Sequence, residues 1–170
     1  ESNLQQQVVR GEPRLRVTAP DKFVTPGTTN EVEIQISNDG SLSLGTAETR
    51  NAVTTARNVR VEAEADNPLA VTTGQVALGS VTEAEPRTAS IAIDVPEDIE
   101  QGTYDIDVEM QYTHTRQQSG TAANPTTNDR SRTVTETVEI EVRDEARFSI
   151  ESASTDVQIG DTGTIEAEVE

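Results

Sequence analysis

Carboxylates dominate the residues of this sequence that could carry out chemistry. They recur at every second position in Asp105, Asp107 and Glu109, and again in Glu139 and Glu141. Two carboxylates held in a cleft can act as general acid and general base, as in glycoside hydrolysis. Carboxylates that alternate along a strand instead share one solvated face, where nothing shifts their pKa values. We therefore expect no catalytic residues and predict that the protein is not an enzyme.

The sequence also offers few ligands for a metal or a cofactor. It has no Cys and a single His, so it cannot form a thiolate site, a disulfide framework or a multi-histidine zinc site. Four aspartates in predicted loops could supply oxygen ligands to calcium: Asp39, Asp66, Asp98 and Asp129. Because no segment has the EF-hand spacing, calcium stays an open alternative. We predict neither a resident metal nor a cofactor.

The charge balance narrows the possible partners. Acidic residues outnumber basic ones by 31 to 13, which gives a net charge of −18. Nucleic acid and anionic lipid both attract basic segments, so we expect neither as a partner, and no apolar run is long enough for membrane insertion by this segment. At molar salt the screening length falls to about 3 Å, and the self-repulsion of such a chain largely disappears. We therefore predict a fold that depends on salt.

The elements that must position these residues are strands. Apolar residues alternate with polar ones along most of the chain, and Val, Ile and Thr together make 52 of the 170 residues. The pattern predicts about seven strands, if the broken pair at 69–81 is counted as one. They cover residues 15–19, 32–36, 59–65, 69–81, 89–95, 104–112 and 134–142. Short antiparallel strands in this number predict an all-β fold, an immunoglobulin-like antiparallel β-sandwich.

Tyr104 follows Gly102 and Thr103 at the start of the longest predicted strand. Immunoglobulin-like sandwiches often place a tyrosine at such a corner, where its hydroxyl bonds to the backbone a few residues upstream. The simpler alternative is that Tyr104 is only a large core residue. We predict the tyrosine corner.

An internal repeat sets the domain organisation. A shift of 133 residues aligns residues 14–37 with residues 147–170 without a gap, and Val17 meets Ile150 while Ile36 meets Val169. Five positions are identical and the apolar positions keep their alternation, which indicates two copies of one kind of module.

The repeat divides the chain into four parts. We predict a lead-in at residues 1–13, one complete module at residues 14–143, a short linker at residues 144–147 and the first two strands of a second module at residues 148–170. The short linker favours a semi-rigid, end-to-end arrangement. Because two strands cannot bury a core, the second module either continues beyond this segment, is completed by another chain, or leaves its strands extended or docked on the first module.

Four stretches of the sequence carry a resemblance to a family: residues 24–40, 56–62, 91–112 and 130–142. Their pattern resembles the S-layer-domain-like surface proteins of haloarchaea and, more distantly, CARDB-type adhesion modules. The resemblance implies an exported cell-surface protein of tandem immunoglobulin-like modules, and it implies no catalytic residue. One lysine beside twelve arginines and an aromatic content of 2% agree with a salt-rich habitat.

Two long predicted loops, residues 38–56 and 115–130, correspond to the B–C and F–G loops of an immunoglobulin-like sandwich, which cluster at one end. Basic residues and the single histidine gather there: Arg50, Arg57, His114, Arg116, Arg130 and Arg132. That end should be neutral to positive on an acidic body, so we predict that it contacts an acidic neighbour. The alternative is that the loops pack on residues 1–13 or form internal ion pairs. His114, at the end of the longest predicted strand, is expected to be an exposed residue at a loop edge.

The expected function is that of a non-enzymatic extracellular module, a spacer or assembly unit of a cell surface. Its partners would be other cell-surface proteins or anionic glycans, with self-association also open. One alternative is a glycan-binding accessory module, although the predicted exposed faces lack aromatic platforms for sugar rings. Another is a subunit of a filament or a transporter-associated surface complex that is completed by strand exchange.

Overall fold

The computed structural model of the chain describes residues 7–144 and, as backbone, two further strands near the C-terminal end. The elements are β1 (Val9–Glu12), β2 (Leu15–Thr18), β3 (Phe23–Val24), β4 (Thr28–Asn38), β5 (Ser41–Leu44), α1 (Asn51–Thr54), β6 (Ala56–Ala65), β7 (Ala70–Val71), β8 (Val76–Val81), β9 (Arg87–Val95), β10 (Gly102–Thr121), β11 (Asn124–Val142), β12 (Ile150–Thr155) and β13 (Ile165–Val169). The predicted all-β class is confirmed.

Two sheets form the sandwich. One has the antiparallel order β2-β4-β9-β7, and the other has the order β11-β10-β6-β8. These are the A-B-E-D and G-F-C-C′ orders of an immunoglobulin-like sandwich. β3 pairs in parallel with the end of β11, so the first strand of the sandwich crosses from one sheet to the other. The predicted architecture is confirmed.

The core lies between the two sheets and follows the predicted alternation. β10 shows the pattern most fully: Ile106, Val108, Met110, Tyr112 and His114 face inward, and each is at most 4% exposed. The residues between them face outward. Each buried aliphatic side chain of this size contributes about 1.5–3 kcal/mol relative to an exposed one, so this aliphatic interior stabilises the sandwich.

The predicted loop at residues 115–130 is wrong. β10 and β11 continue past the sandwich as one antiparallel hairpin, with a register shift between Thr115 and Gln117 and a tight turn at Ala122 and Ala123. Both faces of this extension are polar, so the sequence shows no apolar alternation there. Backbone ladder bonds and β-branched threonines, rather than burial, keep these residues extended.

The predicted loop at residues 38–56 is also wrong, because it contains β5 and α1. β1 pairs antiparallel with β10 (Arg10 opposite Gln117) and with β5 (Gly11 opposite Leu42). The four strands β5-β1-β10-β11 beyond the sandwich are called the distal sheet below, and α1 packs against β1 and β10. The two long connections therefore do share one end, and residues 9–12 of the predicted lead-in belong to the module.

β12 and β13 pair with each other as an antiparallel hairpin. Ile150 lies opposite Val169 in this hairpin, as Val17 lies opposite Ile36 between β2 and β4. After that pair, the register of β12 shifts by one residue. The two segments that the sequence aligns therefore share strand order and one register position, while residues 145–147 of the predicted linker lie outside the described residues.

Candidate functional site

Arg50 is half-buried at the edge of the distal sheet, where several polar groups bind its guanidinium. Its Nε lies 2.7 Å from Oε2 of Glu83, and its Nη2 lies 2.7 Å from Oε1 of Glu83 and 2.5 Å from the carbonyl oxygen of Gly40. The Thr54 hydroxyl donates to the same carboxylate at 3.0 Å. The hydrogen bond from Arg50 is the main cause that lowers the pKa of Glu83. Arg50 is therefore a structural residue in this fold.

Arg57 and Arg132 also form internal ion pairs. Arg57 Nη2 lies 3.1 Å from Oδ2 of Asp129, and Arg132 Nη1 lies 2.8 Å from Oε2 of Glu12. The Thr115 hydroxyl donates to Asp129 at 2.6 Å, and this bond together with the one from Arg57 lowers the pKa of Asp129. For these two arginines and Arg50, the geometry follows the alternative of internal pairing.

Arg116 and Arg130 remain as exposed cations of the distal sheet. Within residues 7–144, no carboxylate lies within 4.0 Å of either guanidinium. Arg116 is the extra residue at the register shift of β10, so it has no partner across the ladder with β11. Of the six residues predicted from sequence, these two are the ones that the fold leaves available for contact.

Arg10 is a third exposed cation that the sequence did not single out, because it fell in the predicted lead-in. Its Nε donates to Oε1 of Gln117 at 2.8 Å. Arg10 and Arg116 line one shallow groove of about 200 Å³ with Glu12 and two serine hydroxyls, those of Ser41 and Ser43. Since Glu12 is already bound to an arginine, the groove favours an anionic group.

His114 is buried, so its predicted position at an exposed loop edge is wrong. It is 2% exposed, and its ring centroid lies 6.1 Å from that of Tyr112. Neither ring nitrogen has a hydrogen-bond partner among the described residues. Burial is the main cause that lowers its pKa below the usual value. The alternation of inward- and outward-facing residues along β10 continues to His114, because the strand extends beyond Tyr112, where the apolar pattern ends.

A larger open groove of about 570 Å³ lies between the loop before α1 and the tip of the β10–β11 hairpin. Glu48 and Thr49 line one side of it, and Gln118, Ser119 and Thr121 line the other. These residues offer hydroxyl and amide groups. No aromatic ring or cation lines this groove among the residues that the structure describes.

The outward face of the sandwich is strongly acidic. In the ladder between β6 and β10, Glu62 lies directly opposite Glu109, and Glu64 lies directly opposite Asp107. Like charges at directly opposite positions of antiparallel strands repel each other and destabilise the pair.

Within the described part of the chain, no His, Cys, Asp and Glu side chains form a group of three or more that could hold a metal ion, so the four loop aspartates are not brought together.

Comparison with known proteins identifies no family. No protein-family model matches the chain, and no curated protein shows significant similarity to it. Across residues 7–144, none of the helices has the length and apolar character needed to cross a membrane. The features that bear on function are therefore the geometry of the distal sheet and the distribution of charge.

Proposed function

We propose that this chain is a non-enzymatic module of an extracellular, cell-surface protein in a salt-rich habitat, where it acts as a spacer and assembly unit. The division of charge supports this role. The sandwich presents directly opposed carboxylates to solvent, whereas the distal sheet presents Arg10, Arg116 and Arg130. Salt screens the repulsion on the acidic face, and the cations at the end are placed for an acidic neighbour.

A spacer role is supported by the way the strand β11 leaves the module. The amide of Arg143 donates to the carbonyl oxygen of Val24 at 3.0 Å, and its guanidinium carbon lies 3.8 Å from the ring centroid of Phe23. The side-chain amide of Gln101 donates to Oδ2 of Asp144 at 2.9 Å. These contacts fix the direction of the chain as far as Asp144, at the end of the sandwich away from the distal sheet.

An assembly role is supported by the two predicted arginines that carry no internal ion pair, Arg116 and Arg130. Exposed guanidinium groups bind carboxylates and sulfates in a bidentate geometry, which keeps its specificity when salt weakens long-range attraction. The partner class is therefore an acidic surface, which includes another cell-surface protein, an anionic glycan or a second copy of this chain.

Light scattering and glycan binding test the proposal at about molar salt, where the fold is expected to be stable. The double variant Arg116→Ser, Arg130→Ser should lose association or binding to uronic-acid and sulfated glycans, with an unchanged melting midpoint. Lys22→Ser is the matched control, because Lys22 is an exposed cation at the opposite end of the sandwich. A wild-type chain that stays monomeric and binds no acidic glycan would contradict the assembly role.

Strand addition is a second candidate mode of assembly, favoured by the outer edge of β11. Among the described strands, β11 pairs only with β10 and, at its end, with β3, while β2 contacts it at Glu136, whose carboxylate accepts a hydrogen bond from the Val17 amide at 2.9 Å. Within the described structure, residues 124–134 therefore have no paired strand on their outer side. An unpaired edge of this length can accept a strand from another chain. Replacing Thr127 with Pro on this edge should then abolish association, whereas loss of Arg116 should leave it unchanged.

A glycan-binding accessory role is the remaining alternative. The 570 Å³ groove offers hydroxyl and amide groups to a sugar, but it lacks the aromatic ring on which sugars usually stack. Binding of neutral glycans that persists in the arginine variants would favour this role over recognition of an acidic partner.

A further inference from the structure

The only histidine of the chain is buried where the sandwich part of β10 continues into the distal sheet. His114 is the last inward-facing residue of β10 before the register shift at Thr115, and it is 2% exposed. Within the described residues, both of its ring nitrogens lack a hydrogen-bond partner. A neutral imidazole carries one N–H, so its burial here leaves one donor and one acceptor unsatisfied.

The carboxylates of neighbouring elements that lie near His114 are already paired, and Glu62 and Glu64 of β6, which have no ion pair within the described residues, lie on the outward face of the sandwich. β1 contributes Glu12, which binds Arg132, and β11 contributes Asp129, which binds Arg57 of β6. β11 also carries Arg130, and α1 has no charged residue. A protonated His114 would therefore be a buried cation among groups that are cationic or already paired. Such a charge is strongly disfavoured until water reaches it.

We propose that His114 is a proton-operated latch for the distal sheet. In the neutral form it allows β1 and α1 to pack on the β10–β11 hairpin. Protonation favours an open form in which β1 and α1 leave the hairpin, the imidazolium is hydrated and the inner edge of β10 is exposed.

The distal sheet opens before the sandwich because its contacts are fewer. β1 pairs with β10 at only two positions, Val9 opposite Gln118 and Arg10 opposite Gln117. β10 and β11, in contrast, pair along their whole length. Local opening follows the elements with the fewest buried contacts. Burial lowers the pKa of His114 from its usual 6.5, so the opening equilibrium responds to protons below that value.

Amide hydrogen exchange at about pH 7, 6 and 5 in constant molar salt tests the latch. After correction for intrinsic exchange rates, the opening constant of β1 and β5 amides should rise as the pH falls below the usual histidine value, by at most about tenfold for each pH unit. Amides of the β4–β9 ladder serve as the internal reference and should keep constant protection, because they lie in the other sheet.

His114→Phe retains a ring of similar size and cannot be protonated, so its β1 amides should show constant protection over the same range. His114→Gln is the second variant, for use if the phenylalanine does not fit. The carboxylates of Glu83 and Asp129 have lowered pKa values, so they remain ionised throughout this range. Constant protection of the wild-type β1 amides, equal pH dependence in the variants, or uniform loss of protection in both sheets would overturn the latch.

Discussion

Arg50 and Glu83 form a bidentate ion pair that joins the start of α1 to the connection after β8. Both guanidinium–carboxylate distances are 2.7 Å, and the side chains are 36% and 24% exposed. The same guanidinium also binds the carbonyl oxygen of Gly40, next to β5. One side chain therefore connects the helix, the segment that leads into β5 and the connection after β8, and these contacts restrain the long segment between β4 and β6.

We predict that Glu83→Gln destabilises the protein by about 1 kcal/mol at neutral pH, the upper range for a partly exposed ion pair. The pKa of Glu83 is lower in the folded state, so its contribution is present above its usual value of 4.5 and is lost as the pH falls below it. Urea unfolding of the wild type and the variant should therefore converge at acid pH. Glu48→Gln, which removes an exposed carboxylate without an ion pair in the described structure, is the control. A constant difference at every pH would contradict this prediction.

The opposed carboxylates of β6 and β10 predict a strong response to salt. Removing two charges with Glu62→Gln and Glu64→Gln should raise the melting midpoint at about 0.1 M salt, because each directly opposed like-charge pair costs up to about 1 kcal/mol. At about 3 M salt the variant and the wild type should melt together, and the wild type itself should be more stable than at low salt.

Glu31→Gln with Glu33→Gln is the matched control for this experiment. These two outward carboxylates lie opposite Ala92 and Ser90, so their removal relieves no direct repulsion. Thermal melts of the three proteins at both salt concentrations give the comparison. Equal midpoints of the wild type at low and high salt would refute the proposed adaptation to a salt-rich habitat.

The tyrosine corner is confirmed, because the Tyr104 hydroxyl donates to the carbonyl oxygen of Glu100 at 2.8 Å. Tyr104→Phe removes this bond and retains the ring, so we predict a loss of about 1 kcal/mol in urea unfolding. Tyr112→Phe is the control: Tyr112 is buried at 4% exposure, and none of the described hydrogen bonds involves its hydroxyl. If the two variants are equally stable, Tyr104 acts only as a core residue.

Gly11 is required for the close approach of β1 to its neighbours. A Cβ atom at this position would lie 2.6 Å from the carbonyl oxygen of Ser41 and 2.7 Å from Cγ2 of Val53. Gly11→Ala should therefore displace β1 and destabilise the protein by about 1–3 kcal/mol, the usual cost of overpacking.

Gly74→Ala provides the control for Gly11→Ala, since no atom lies within 4 Å of a Cβ placed there. Hydrogen exchange should show loss of protection in β1 and β5 for Gly11→Ala only. Unchanged protection of these strands in Gly11→Ala would show that the contact between β1 and α1 can relax without cost.

The predicted alternation located the strands of the sandwich except the two-residue β3, because the longer of those strands have one buried and one solvated face. Val32, Ile34 and Ile36 show this directly, since all three are at most 2% exposed. The extension of β10 and β11 into the distal sheet was missed because both of its faces are polar, and β1 and β5 were missed because each is only four residues long. Only pairing between residues distant in sequence, such as Arg10 with Gln117, keeps those residues extended.

The six residues predicted from sequence lie toward one end of the sandwich, but their contacts differ from those expected. The sequence placed six residues there, and it could not show that Arg50, Arg57 and Arg132 are each bound to a carboxylate of another segment. It also could not show that His114 is buried. Such pairings depend on which strands lie side by side, and that information is absent from the local pattern.

By itself, the sequence determined the fold class, the acidic outer face and the tyrosine corner, because each follows from residues close together in the chain or from their period of two. The tertiary structure alone decided which arginines are available for contact, how far the β10–β11 hairpin extends and where the single imidazole lies. The physical reason is that ion pairing and burial depend on neighbours in space, and these are set only when strands from distant parts of the chain come together.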